Sequence, residues 1–170
     1  MKKSIIVVLA VFLMTTLMSS LVLAQETGAA AKPATLSMSV HSFLPHLGGT
    51  ARMYVFDSKE TFNEFDKAII KKTAKISGLK LMKSKTEKGE NQAMWWVVLN
   101  DLKPGTYAVS VVHDENNDGK MNQVMGFGPP KEGVGTSRPV SAIPSWKKVK
   151  FDIKEGEQKK LSIKMVYLFD

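Results

Sequence analysis

Residues 104–135 read PGTYAVSVVHDENNDGKMNQVMGFGPPKEGVG. Pro104 and Gly105 stand at the adjacent central positions that a type II turn wants. Residues 106–112 alternate as a strand, and 113–122 turn polar and acidic. Gly126, Gly128, Gly133 and Gly135, with Pro129 and Pro130, then exclude helix. The irregular excursion continues through Pro139 and Pro144. A connection of that length in a small domain is usually functional or disordered.

Outward from this stretch the period of two recurs. Leu36, Met38 and Val40 alternate with Ser37, Ser39 and His41, a half-buried first strand. Residues 51–56 form a second strand and 79–83 a short one. Residues 93–99 (AMWWVVL) are apolar throughout, which predicts a central strand covered on both faces. Trp95 and Trp96 must then point to opposite faces, and both are expected in the core. Residues 148–153 and 160–167 alternate and are expected to pair around Glu155 and Gly156. One helix is expected over 61–76: Thr61 and Glu64 have capping-box spacing, and Phe62, Phe65, Ile69 and Ile76 share a helical face. The fold expected is mostly β, an antiparallel β-sandwich of about seven strands with one helix in a crossover.

The first 24 residues read as an export signal. Lys2 and Lys3 precede an apolar run over 5–14, and Val22, Leu23 and Ala24 precede the cleavage point. The alternative is a membrane anchor, but Thr15, Thr16, Ser19 and Ser20 interrupt the apolar run, so no stable anchor is expected after cleavage. Residues 25–34 (QETGAAAKPA) read as a flexible linker, and 35–170 as the domain. The chain has no cysteine, which excludes disulfides, zinc-thiolate sites and a thioether lipid anchor. A soluble periplasmic or secreted protein is the expectation. Its formal net charge of +8 comes from scattered lysines without interleaved aromatics, so no nucleic-acid partner is expected. An extracytoplasmic protein or polysaccharide partner is compatible with that charge.

The chemistry of 113–122 is the most informative feature. Asp114, Asn116, Asp118 and Gly119 match positions 1, 3, 5 and 6 of a calcium loop. Lys120 would serve through its backbone carbonyl, and Asn122 falls at position 9. A hard cation wants six to eight oxygens, and alternate side chains of a wrapped loop supply them. Position 12, however, is Met125 rather than the bidentate Glu, so any Ca2+ site is expected to be weak unless Glu115 or Glu132 contributes. The opposing reading is a hairpin-end loop whose Asp and Asn side chains bond their own backbone. His41, His46 and His113 could join Asp114 around zinc or copper, but their spacing does not require them to meet. Pro129 and Pro130 after the Gly126–Gly128 pair rule out a dinucleotide fingerprint, and no Gly-x-Ser-x-Gly elbow exists.

The residues Pro104 to Val109, Val112 to Asn116, Asp118 to Lys120, Gly126, and Pro130 to Gly133 with Gly135 together resemble an exported bacterial family, domain of unknown function 2141. The resemblance implies a transthyretin-like (prealbumin-like) or carboxypeptidase-regulatory-like sandwich, and no established activity. The sequence departs from the family pattern at Asn122, where Asp is common, and at 124–126, where an Asn-Phe-Leu-Gly type run is usual. The expectation for function is a non-catalytic, exported binding or structural module with a weak calcium loop. The alternatives are a transthyretin-like hydrolase of a small molecule, whose C-terminal Tyr-Arg-Gly-Ser is absent here, or an accessory that pairs strands through 161–169.

Overall fold

The structure, a computed structural model, describes residues 31–126, 128–139 and 144–169. The expected signal peptide and residues 25–30 of the expected linker lie outside the described residues. The described chain forms strands β1 (Ala34–Phe43), β2 (Thr50–Phe56), β3 (Ile70–Lys75), β4 (Lys80–Lys85), β5 (Asn91–Leu102), β6 (Gly105–Asp114), β7 (Gly133–Thr136), β8 (Phe151–Ile153) and β9 (Gln158–Lys164). A one-turn helix, α1 (Trp146–Val149), sits in the connection from β7 to β8. No helix among the described residues is long and apolar enough to cross a membrane.

The strands build a β-sandwich. One sheet runs β4-β5-β1-β9 and the other β3-β2-β6-β7, with β8 paired to the first residues of β6. All pairings are antiparallel except β1 with β9. The alternation in β1 sends Leu36, Met38 and Val40 inward, in register with Leu99, Val97 and Trp95 of β5. Met53 and Val55 of β2 and Val109 and Val111 of β6 meet them from the second sheet in one continuous core.

Three expectations are corrected. Residues 61–76 are not a helix. Asn63 takes a left-handed φ of 73°, which ends any helix inside its first turn. The segment closes with a single 3₁₀ turn at Phe65–Lys67, and Ile70–Lys75 becomes β3 because the edge of β2 needs a hydrogen-bonding partner. Phe62 and Phe65 stay half-buried outside the core: with Phe56, Tyr54 and Trp146 they make an aromatic layer on the outer face of the second sheet.

The strand buried on both faces is β6, where every residue from 107 to 114 is buried, and not β5. On β5, Trp95 packs against the core, but Trp96 is 63% exposed and Val98 57% exposed. Finally, β8 and β9 do not form a hairpin. A tight turn does form at Glu155 and Gly156, but it is tied to the chain entering β1 by Lys32 N–H on Glu155 Oε1 (2.8 Å) and Gly156 N–H on the Lys32 carbonyl (2.8 Å). The turn is thus a corner between sheets, leaving β8 on β6 and delivering β9 beside β1.

Ser137 locks the β7–α1 connection onto β6. Its hydroxyl donates to the Val149 carbonyl (2.7 Å) and accepts from Val109 N–H (3.1 Å), with the side chain buried. Ser137→Ala orphans both backbone groups and should cost about 2 kcal/mol. Urea denaturation should show a lower midpoint at unchanged slope.

Candidate functional site

Strand β6 ends inside the protein on two polar residues. His113 and Asp114 are both fully buried, a position polar groups hold only when bonded. The His113 Nε2–H donates to the Gly48 carbonyl (2.6 Å). The Tyr167 hydroxyl lies 2.7 Å from His113 Nδ1 and accepts from Leu44 N–H (3.2 Å). Since the Gly48 carbonyl can only accept, Nε2 carries the proton and Nδ1 takes the tyrosine's. This imidazole therefore ties β6 to the β1–β2 turn and to the C-terminal segment.

Asp114 organises the loop that follows. Its Oδ2 accepts Arg52 Nε–H (2.5 Å) and Gly119 N–H (3.0 Å), and its Oδ1 accepts Asp118 N–H (3.1 Å). Arg52 comes from β2, where Thr50 pairs with Asp114 and Arg52 with Val112. Gly119 has φ +77°, the left-handed conformation required of the residue that turns the loop back. Gly49 is needed for a different reason: a Cβ there would sit 2.3 Å from the Asp114 carbonyl oxygen.

Residues 116–122 close on themselves. Asn116 Oδ1 accepts Asp118 N–H (3.1 Å), and Asp118 Oδ1 accepts Lys120 N–H (2.8 Å). Asp118 Oδ2 accepts the side-chain amides of Asn116 (3.0 Å) and Asn122 (3.1 Å). These donors, led by the Lys120 amide, hold the Asp118 carboxyl below its ordinary range. Glu132, reached from the far side of the glycine-rich excursion, completes the arrangement. It is buried and accepts Asn122 N–H (3.1 Å), the Asn122 side-chain amide (3.4 Å) and Glu115 N–H (3.3 Å). Burial outweighs these bonds and pushes its carboxyl above the usual range. Together Glu115, Asn116, Asn122, Gln123, Lys131 and Glu132 line an open depression of about 330 Å3.

The sequence-predicted residues are thus brought together, but around N–H donors. Asp114, Asn116 and Asp118 act through their oxygens as acceptors of loop amides and Arg52. Lys120 contributes its N–H to Asp118, and Asn122 bridges Asp118 and Glu132 through one NH2 group. Met125, at the missing twelfth position, is 82% exposed. The three histidines do not meet: His113 is interior, His46 stands beside Glu90 (3.7 Å), and His41 lies near Lys164, where burial first and that lysine second lower its pKa. Among the described residues no group of three or more His, Asp or Glu side chains forms a metal-binding cluster. Arg52 and Tyr167 had no local signature, because one lies on a distant strand and the other near the C-terminus.

These features define a two-sheet β domain that carries a polar, self-bonded loop at the end of its central strand. The chain belongs to the family described as uncharacterized protein conserved in bacteria (DUF2141), which matches residues 43–161 and so contains the whole loop. No curated protein and no solved structure matches the chain.

Arg52→Met would leave the Asp114 carboxylate buried with loop amides alone. Arg52 is itself 26% exposed, so the loss should fall near the low end for broken buried pairs, about 3 kcal/mol. Hydrogen exchange should accelerate at the Asp118 and Gly119 amides, and Arg52→Lys should recover part of the loss. The raised Glu132 carboxyl sets a pH dependence. A folded-state value above the unfolded one means that its contribution is complete below the ordinary Glu range and is lost as pH rises through the folded value. The melting temperature of the native protein minus that of Glu132→Gln should therefore fall between pH 4 and pH 7. Asp118 has the opposite sign, its contribution being lost as pH falls through its depressed value.

Proposed function

We propose that the protein is an exported, non-catalytic binding module whose binding surface is the loop end around Glu115, Asn116, Asn122, Gln123, Lys131 and Glu132, with a weak calcium site inside it. Export is read from the signal pattern of residues 1–24. The observation that carries the binding reading is the position of the Asn122 side-chain amide. Its NH2 group stands 3.1 Å from Asp118 Oδ2 and 3.4 Å from Glu132 Oε1, bridging two carboxylates, and Asn122 and Glu132 both line an open, ligand-sized depression. A hard cation competes for that place between the carboxylates. It must displace the amide and lacks a bidentate Glu at the twelfth position, so its affinity falls in the weak range of extracellular sites.

The non-catalytic part of the reading rests on the histidine. His113 is fully buried with both ring nitrogens bonded within the protein, which keeps its imidazole out of a substrate's reach. For the strand-pairing alternative, β9 does lie at a sheet edge, but Lys159, Lys160 and Lys164 line it, the usual guard against edge pairing.

Thermal melts with millimolar calcium against chelator test this reading. With Kd near 1 mM, 10 mM calcium should raise the midpoint by about 5 °C. Asp118→Asn should abolish the shift. An unchanged midpoint removes the ion from this reading.

A further inference from the structure

The outer face of the β4-β5-β1-β9 sheet is the second feature that asks for a ligand, and it is independent of the loop. The register places Ser162, Ser39 and Trp96 in one row across three strands, and Lys160, Ser37 and Val98 in the next. Lys164 stands opposite His41, and Lys80 opposite Met94. Their inward-facing neighbours Leu36, Met38, Val40, Val97 and Leu99 are buried, so these rows face solvent. The indole is the most exposed large hydrophobic side chain of the face. In the rows from Met94 to Val98 no outward residue of β1, β5 or β9 is acidic, the exposed Asp101 lying beyond them at the bulged end of β5, and Lys80, Lys160 and Lys164 bring positive charge to both outer strands.

We propose that this face binds a linear anionic polysaccharide, with a sugar ring stacked on Trp96, its hydroxyls bonded to Ser37, Ser39 and Ser162, and its acidic groups paired with Lys160 and Lys164. The geometry suits an extended polymer because the lysine-bearing strand β9 lies two strand spacings, about 10 Å, from the Trp96 strand, and the serines of β1 fill the interval. The charge selects an anion. A second copy of the chain is disfavoured, since two such faces would oppose lysine to lysine. A lipid surface would strip water from the serine hydroxyls and return no partner for them, whereas a glycan returns one for each. A single-stranded nucleic acid needs a succession of stacking rings, and the face offers one indole.

The probe is polygalacturonate, with dextran as the neutral control, measured by affinity electrophoresis and titration calorimetry at low ionic strength. The native protein should bind polygalacturonate and not dextran, and salt should weaken the binding. Trp96→Thr and the double variant Lys160→Gln with Lys164→Gln should each weaken binding by about tenfold or more. Both keep the native melting temperature within about 2 °C, because the altered side chains are exposed. The proposal is overturned if native protein ignores polygalacturonate, or if both variants bind as native protein does. It is equally overturned if retention is found only on phosphatidylglycerol vesicles or on oligothymidylate. The site shares no residue with the loop end, so either reading can fail without the other.

Discussion

Strand β6 carries its polar end into the interior, and the loop end takes its form from that constraint. A buried carboxylate at Asp114 cannot stand without donors. The donors within reach are the Arg52 guanidinium on the neighbouring strand and the amides of the residues that follow. Satisfying Asp114 therefore folds residues 115–119 back over the strand end. The same turn places Asp118 and Asn122 against Glu132. His113, one residue earlier, points to the other face and draws in Gly48 and Tyr167. Alternation along one strand thus sends an anchor to each side, and both anchors are distant in sequence.

The two sheets differ in how their outer faces are treated. The second sheet is covered by the connection from β2 to β3, whose Phe62 and Phe65 meet Phe56, Tyr54 and Trp146. It is also covered by α1, whose Val149 is buried and whose Ser145 and Trp146 carbonyls accept the closing N–H groups of the turn. Among the described residues the first sheet receives no such cover on its hydroxyl-rich face, and Trp96 is exposed. That asymmetry explains why a strand as apolar as β5 can be half exposed while β6 is not. Cover depends on where the long connections run. It does not follow from the mean hydropathy of the strand itself.

Much of the fold was legible in the order of residues. The period of two marked β1, β2 and β6 within a residue or two, because side-chain direction in a strand is a local property. The loop at Asp114–Asn122 was also legible, since Asp and Asn bond their own backbone within a few positions and Gly119 supplies the left-handed turn. The helical period over 61–76 misled: apolar spacings of three and four also fit two short turns followed by a strand. There the unmet hydrogen bonds of the β2 edge outweighed a coincidence of spacing. The chemistry of the acidic loop was likewise half visible. Its acceptors could be read from spacing, but the donors that occupy them could not.

From the chain alone come the β class, the turns and the residues that cap them, all set by interactions spanning a few residues. Assembly decided the rest: that β8 and β9 part company at a corner held by Lys32, that Arg52 meets Asp114, that Tyr167 reaches His113, and that Trp96 faces water while Trp95 does not. Each of these depends on which segments become neighbours across more than fifty residues or on which face a connection happens to cover. Local spacing carries no record of either.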